Sequence, residues 1–149
     1  MLLNLILGLS TMVLCLLLQS VLLLVVLRFY AREKPQIGAT SFWNNLMVVK
    51  SIMLLLVAGN LGQVGIWALL FQALGEFAVF RDAFYHSAVN FATLGYGDVV
   101  MSEQHRLLGP MEAINGVLMI GVSTAALMAA FQDISLPARE SEAKAGSPR

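Results

Sequence analysis

The sequence predicts an all-α membrane protein with three transmembrane helices and a short re-entrant segment between the second and the third. Composition is the first reason: 58% of the 149 residues are hydrophobic and only 12% are charged, whereas a soluble domain carries about 25% charged residues. The second reason is that three apolar stretches are long enough to cross a bilayer. The third is that a glycine-rich stretch, "NFATLGYGDVV", interrupts the apolar chain between two of them.

The first apolar stretch runs from Leu2 to Leu27. At about 1.5 Å per residue it is long enough to cross a hydrocarbon core of roughly 30 Å. A cleaved signal peptide is the alternative, but its apolar region has only about 7–15 residues and follows a basic start. This stretch is longer and no basic residue precedes it, so we favour a retained helix. Its Cys15 fits a small buried hydrophobe. Its polar residues are Asn4, Ser10, Thr11, Gln19 and Ser20.

A polar loop and a second apolar stretch follow. Residues 29–45 include Pro35 and Gly38 and predict a loop, because proline and glycine break helices. The second stretch, Leu46 to Leu74, contains the sequence "GNLGQVG". A nucleotide-binding loop with such glycines follows a strand, and no strand is predicted here. Close helix packing through small residues is the better interpretation. The glycines concerned are Gly59, Gly62 and Gly65.

The third apolar stretch runs from Leu107 to Phe131, and a polar sequence without periodicity follows it. We predict that Pro137 to Arg149 is disordered, because such a segment has too little apolar surface to bury.

Charge placement predicts the orientation in the membrane. If the chain crosses three times, most of its nine Lys and Arg residues fall on one side, and the positive-inside rule makes that side the cytoplasm. We therefore expect a multi-pass protein of the cell (inner) membrane with the N-terminus outside and the C-terminus in the cytoplasm. The cytoplasmic set is Arg28, Arg32, Lys34, Lys50, Arg139, Lys144 and Arg149; the outer set is Arg81 and Arg106.

This orientation divides the chain into four parts. Residues 1–28 form an additional N-terminal transmembrane helix, and residues 29–45 form a cytoplasmic loop. Residues 46–131 form a unit of two spans with the outer segment between them, and residues 132–149 form a cytoplasmic tail.

The outer segment predicts a short helix followed by an irregular loop. Apolar residues recur from Ala83 to Ala92, about 15 Å of helix, and Asp82 is placed to cap or charge its start. This length is half a membrane thickness. Irregular backbone at membrane depth is tolerated only where protein or a water-filled path surrounds it. The segment therefore predicts a re-entrant element beside a pore or cavity.

The loop after this helix is suited to replace the water around a cation. Moving a bare cation into an apolar medium costs on the order of tens of kcal/mol. Backbone carbonyls offset this cost if several point at one axis, and Gly95 and Gly97 allow the unusual backbone that this requires. Thr93 adds a hydroxyl at the inner end. We expect Tyr96 to brace the loop against the surrounding protein, and Asp98 to anchor that bracing.

The sequence "TLGYGD", Thr93 to Asp98, resembles the selectivity filter of potassium channels, whose usual core is TVGYG. The longer sequence "FRDAFYHSAVNFATLGYGD" resembles the pore helix and filter of small bacterial potassium channels, and "HRLLGPMEAINGVLMIGVSTAALMAAF" resembles their inner helix. The resemblance covers about Leu46 to Phe131. It implies passive, potassium-selective conduction through a pore domain of residues 46–131. Because one chain supplies one filter loop, it also implies a homotetramer.

The resemblance implies roles for individual residues. The backbone carbonyls of residues 93–96 would hold K+, together with the Thr93 hydroxyl. Gly116 falls where these channels often have a hinge glycine, and helix packing is an equal alternative. Thr124 would face a water-filled cavity, and Met128 is a candidate gate or a plain packing residue. The implied ion-coordinating residues are Thr93, Leu94, Gly95, Tyr96 and Gly97. The implied gating and cavity residues are Gly116, Gly121, Thr124 and Met128.

The sequence departs from the usual pattern in the support of the filter. Leu94 replaces the usual valine, and Val89 stands where a glutamate often braces the filter aspartate. Glu112 is an acid inside a span, and such residues are functional candidates by default. We expect it to bond to the short helix, at His86, Asn90 or the backbone, with plain helix packing as the alternative. Tyr85 could brace Tyr96 or Asp98, or only pack. The predicted filter-support residues are Asp98, Tyr85 and Glu112.

Two other functions stay open at this point. The first is a weakly selective cation channel, since Leu94 and the missing brace could loosen the filter. The second is a non-conducting membrane subunit of a larger channel complex. An enzyme is not expected because no nucleophile–base pair is visible. We expect no cofactor other than K+ as the permeant ion. The expected partners are lipid and further copies of the chain, and a net charge of zero gives no sign of nucleic acid.

Overall fold

The computed structural model describes residues 1–33 and 42–145, and these residues form four α-helices. In chain order they are α1, Leu2–Glu33; α2, Phe42–Ala73; α3, Phe80–Phe91; and α4, Leu108–Ala145. Within this described part of the chain, three segments are long and apolar enough to cross a membrane: Leu2–Phe29, Asn45–Ala73 and Leu108–Gln132. The predicted all-α fold with three apolar spans is thereby confirmed. Pro35 and Gly38, which the loop prediction used, lie outside the described residues.

Helix α1 buries its polar face and exposes its apolar one. Most of the leucines and valines on the rest of its surface are exposed, as suits a helix that faces lipid. The buried positions recur every three or four residues, which is the spacing of one helix face. They are Asn4, Gly8, Thr11, Cys15 and Gln19, with Val26 near the end. This face packs against α2 and α4.

Two of the small residues let helices approach closely. A Cβ at Gly59 of α2 would collide with the side chain of Leu22 from α1, and a Cβ at Gly8 of α1 would collide with Met111 from α4. Gly65 has open space where its Cβ would be. The predicted packing role of the "GNLGQVG" glycines therefore applies to Gly59 and not to Gly65.

Among the residues that the structure describes, three hydrophobic clusters hold the helices together. The first joins all four helices near the start of α4 and includes Trp67, Phe71 and Leu108. The second joins α1, the start of α2 and the later part of α4 around Ile52 and Ala130. The third, formed by Val64, Phe91 and Met119, joins the end of α3 to α2 and α4.

The short helix α3 runs from the end of α2 into the middle of the bundle. Its last residue, Phe91, contacts α4 at Gly116 and Met119. These positions lie about 12–17 Å along α4 from its first residue, near the middle of the span Leu108–Gln132. The chain then returns to the level of the α4 start within the segment 92–107. The helix is two residues longer than the predicted Ala83–Ala92 and begins three residues earlier.

Helix α4 extends beyond the span and through Ala145. This differs from the disordered tail predicted from Pro137. The physical reason lies in the segment 138–145, "ARESEAKA", which is rich in alanine, glutamate, lysine and arginine, all good helix formers. The lack of apolar periodicity concealed this propensity. Residues 146–149 lie outside the described part of the chain.

Candidate functional site

Helix α3 begins without a side-chain cap. Val79 is its N-cap residue and makes no side-chain capping bond. Asp82 lies in the first turn, where its charge favours the positive end of the helix dipole, and it pairs with the neighbouring Arg81. Of the two roles predicted for Asp82, the structure therefore shows the favourable charge in the first turn of α3 and not the capping hydrogen bond.

The backbone leaves α3 through a tight turn and then alternates in conformation. The amides of Thr93 and Leu94 donate to the carbonyls of Asn90 and Val89, at 2.8 and 2.9 Å. Thr93, Gly95 and Gly97 then have positive φ angles of 59°, 58° and 74°. The two glycines adopt this region at little cost, whereas a β-branched threonine in it is a genuine outlier. The backbone of every second residue from 93 to 97 thus has a φ in the left-handed region.

Asp98 ties the end of this loop back to α3. The Tyr85 hydroxyl donates to its Oδ2 at 2.7 Å, and the Val99 amide donates to its Oδ1 at 3.0 Å. The Tyr85 hydrogen bond is the main reason that the pKa of the Asp98 carboxyl lies below its usual value, and the same bond raises the pKa of Tyr85. Of the two partners predicted for Tyr85, the structure brings Asp98 to it.

His86 links α3 to the residue after Asp98. Its Nδ1 lies 2.8 Å from the Val99 carbonyl, and its Nε2 lies 2.9 Å from Nδ2 of Asn90. One tautomer satisfies both contacts: Nδ1–H donates to Val99, and Nε2 accepts from Asn90. The buried ring contacts the rings of Phe71 and Phe77, at centroid distances of 5.6 and 5.1 Å. The end of α2, α3 and the loop exit thus meet at one side chain.

Glu76, just after α2, holds the segment that leads into α4. Its carboxylate accepts hydrogen bonds from the Ser102 amide at 2.7 Å, the Ser102 hydroxyl at 2.6 Å and His105 at 2.5 Å. Burial alone would raise the pKa of Glu76, but the hydrogen bonds from Ser102 and His105 outweigh it and hold this pKa below its usual value. Helix α1 reaches the same segment, since Asn4 donates to the Gln104 carbonyl at 2.6 Å.

Glu112 lies on α4, fully buried against α3. Its Oε1 accepts a hydrogen bond from the Ser87 hydroxyl, which is also 2.8 Å from the Val64 carbonyl of α2. The structure therefore brings Glu112 to the short helix through Ser87, a residue that is not among the partners expected from the sequence. Val89, at the position where a glutamate often braces the filter aspartate, is buried.

Gly116 is a packing residue in this structure. A Cβ at this position would collide with the Phe91 carbonyl at the end of α3. Of the two roles considered for Gly116, this contact favours helix packing. Gly121 has open space beside it, and both Thr124 and Met128 are exposed on the single chain.

The loop itself is exposed in the single chain. Tyr96 is 65% exposed and Leu94 54% exposed, so the bracing expected of Tyr96 does not come from packing within its own chain. An open cavity of about 350 Å³ lies beside the loop. It is lined by His86, Asn90, Thr93, Gly95, Val100, Met101, Arg106, Gly109, Pro110 and Ala113.

A family model described as an ion channel matches residues 53–133, more than half of the chain. The chain belongs to this ion channel family. The match begins within α2, includes α3 and the loop, and ends in α4, so that α1 lies outside it. A comparison with curated proteins and one with solved structures found no match. With its three apolar helices, this ion channel is a multi-pass membrane protein of the transport type.

Several residues of the channel's site could not be found from the sequence. From the sequence, His86 and Asn90 are expected only as partners of Glu112, and no role is expected for Ser87 or Glu76. A signal existed for His86 and Ser87, since polar residues in a short helix at membrane depth need partners. The roles of Thr93, Leu94, Gly95, Tyr96 and Gly97 in holding ions stay predictions.

Proposed function

We propose that four copies of this chain form a potassium-selective channel in the cell membrane, with residues 93–97 as its ion filter. The observation that carries the proposal is the alternation of backbone conformation, with positive φ at Thr93, Gly95 and Gly97. Alternation between positive and negative φ turns successive amides to one face of the chain. The carbonyls then face the other way, as a row of cation ligands requires.

The placement of α3 supports a re-entrant arrangement. Its C-terminal residue reaches Gly116 and Met119, near the middle of the α4 span. The negative end of its dipole then lies at mid-membrane depth, where it favours a cation. Irregular backbone at that depth is stable only beside protein or water, and a water-filled path satisfies this condition for residues 93–97.

The exposure of the loop supports assembly around one axis. A cage of carbonyls needs several loops, and one chain supplies one, so a closed cyclic tetramer is the simplest arrangement. Leu94 and Tyr96, exposed on the single chain, would face neighbouring copies in it. Thr124 and Met128, also exposed, would face the cavity and the gate. The positive-inside rule orients this tetramer with its C-termini in the cytoplasm.

The filter is held by contacts other than the usual glutamate brace. Tyr85 and His86 tie Asp98 and Val99 to α3, and Glu112 holds α3 to α4 through Ser87. These polar contacts therefore hold the exit of the loop and the helix α3 behind it, whereas Val89 has no polar group with which to brace Asp98. The missing brace at Val89 is the observation that favours a weakly selective cation channel as the second candidate.

Ion flux into liposomes that contain the purified protein tests the proposal. We expect potassium flux from the wild-type protein and its loss in Gly95→Ala, because alanine is strained at a φ of 58°. Gly65→Ala is the matched control. Gly65 also has open space for a Cβ, but it lies in α2 without a positive φ. Its alanine variant should conduct like the wild type.

Three results would oppose the proposal. Potassium flux that persists unchanged in Gly95→Ala would remove residues 93–97 from the ion path. Equal fluxes of potassium and sodium would favour the weakly selective channel. A wild-type protein that assembles in liposomes and passes neither ion would favour a non-conducting subunit.

A further inference from the structure

Four polar side chains join α1, α2 and α4 inside the membrane. Gln63 of α2 donates to Gln19 of α1 at 2.8 Å, Gln19 donates to Ser123 of α4 at 3.0 Å, and Ser123 lies 3.4 Å from Oδ1 of Asn60 on α2. We call these four residues the polar seam. The exposed fractions of Gln63, Gln19 and Ser123 are 0%, 2% and 7%. The seam lies between the first and second hydrophobic clusters.

The seam attaches α1 firmly to the rest of its own chain. Without α2 and α4, the Gln19 amide would face hydrocarbon, where an unsatisfied polar group costs several kcal/mol. The remaining contacts of the same α1 face agree with this attachment. Asn4 bonds the segment before α4, and Met111 packs at Gly8. A helix that served only as a membrane anchor would need no such face.

The seam also fixes the rotation of α4 about its axis. With Ser123 held towards α1 and α2, the next residue, Thr124, points about 100° away around the helix. Thr124 is exposed, and so is Met128 one turn later. One row of buried positions on α4 recurs with spacings of four and three residues on the face that holds Ser123. It consists of Glu112, Gly116, Met119 and Ser123.

We infer that α1 positions the pore-lining helix α4, and that Gln19 is the positioning residue, acting through Ser123. The inference rests on the proposed channel function and assigns a role to a helix outside the segment that matches the family. Any movement of α4 that changes the width of the pore would have to break or rearrange the seam. Removing the seam therefore changes the balance between open and closed states and leaves the filter unchanged.

Single-channel recording in planar bilayers tests the inference with Gln19→Leu and Ser123→Ala. Each lost interhelical hydrogen bond should change the open-to-closed ratio by about threefold. The unitary conductance and the reversal potential in potassium and sodium should stay as in the wild type. Combining the two substitutions should add little to Gln19→Leu alone, because the Gln19–Ser123 bond is then already lost and Ser123→Ala removes in addition only the long 3.4 Å contact with Asn60. Ser20→Ala is the matched control, since the exposed Ser20 hydroxyl donates to Leu16 of its own helix.

A second readout separates positioning from mere stability. In a Cys15→Ala background, the rate at which a water-soluble thiol reagent modifies Thr124→Cys reports the rotation of α4. Gln19→Leu should change this rate at least about threefold, and Ser20→Ala should not.

Each outcome bears on the inference. If Gln19→Leu conducts with the open-to-closed ratio and the modification rate of the wild type, the inference is wrong. If Gln19→Leu does not assemble, the same two measurements on Ser123→Ala test the inference, because this substitution removes only one hydroxyl from a helix. Wild-type values in Ser123→Ala would then show that the inference is wrong. A wild-type protein that passes no ions contradicts the proposed function, and this inference with it.

Discussion

At the scale of single residues, Thr93 marks where the backbone is held against its own preference. A β-branched residue in the left-handed region costs about 1–3 kcal/mol and persists only where its surroundings impose it. Here the amides of Thr93 and Leu94 close the turn out of α3, and Tyr85 and His86 hold the far end of the loop. The loop is therefore fixed at both ends and exposed between them.

Asp98 gives a prediction at the residue scale. In Tyr85→Phe the carboxylate loses the hydrogen bond that lowers its pKa. Its pKa should then rise towards the ordinary value of about 3.9. A carbon-13 NMR titration of the Asp98 carboxyl measures this shift directly.

The sign of the effect on stability follows from the lowered pKa. The Tyr85 contact stabilises the folded loop at pH values above the unfolded pKa of Asp98, and this contribution is lost as the pH falls through the folded pKa. Tyr85→Phe should lack this stabilising contribution, because it has no hydroxyl to donate to Asp98. An Asp98 pKa that is the same in wild type and Tyr85→Phe would contradict this interpretation of the loop exit.

Residue type predicted only part of this detail. Gly95 and Gly97 were predictable because glycine is the residue that a positive φ favours. The positive φ of Thr93 was not, since threonine rarely adopts it and only the alternation of the whole loop requires it. The bridge from His86 to Val99 was not predictable because it joins residues 13 apart whose approach depends on how the loop folds back.

At the scale of elements, the contact between α3 and α4 decides how the loop is placed. Phe91 rests on Gly116, and Ser87 bonds to Glu112 one turn earlier on α4. The two contacts fix the height and the rotation of α3 against α4. A glycine at 116 is needed because the neighbour is backbone, which cannot move aside as a flexible side chain can.

Two glycines of α4 give opposite predictions. Gly116→Ala should destabilise the protein by about 1–3 kcal/mol, the usual cost of overpacking, because its Cβ would collide with the Phe91 carbonyl. Gly121→Ala has open space and should stabilise α4 by up to about 1 kcal/mol through helix propensity. Thermal unfolding in detergent compares the two. Equal effects of the same sign would show that the α3–α4 contact does not distinguish these positions.

The elements themselves were largely predictable from apolar length, while the way they pack was not. The three spans follow from composition, and α3 follows from its position between two of them. The stripe of Asn4, Thr11 and Gln19 on α1 is present in the sequence at helical spacing. Nothing in the sequence indicates that Asn4 bonds to Gln104, or that Gln19 bonds to Gln63 and Ser123. Helix formation through Ala145 was missed because good helix formers in a polar segment give no periodic signal.

At the scale of the whole molecule, the chain is a bundle in which α1 and α2 support the two elements that would form the pore. The polar face of α1 meets α2 and α4 inside the membrane, and its apolar residues remain for lipid. Residues 93–97 and the face of α4 that carries Thr124 and Met128 are exposed on the single chain, and the proposed fourfold assembly would place both around the pore axis. The proposed tetramer rests on this exposure and on the chain's membership of the ion channel family.

The reversal potential of the purified wild-type protein tests the central claim most directly. The protein is placed in a planar bilayer with potassium chloride on one side and an equal concentration of sodium chloride on the other. A filter of backbone carbonyls at residues 93–97 predicts a reversal potential displaced far from zero, in the direction set by the potassium gradient. A reversal potential near zero, with current carried equally by both ions, would contradict a potassium-selective channel.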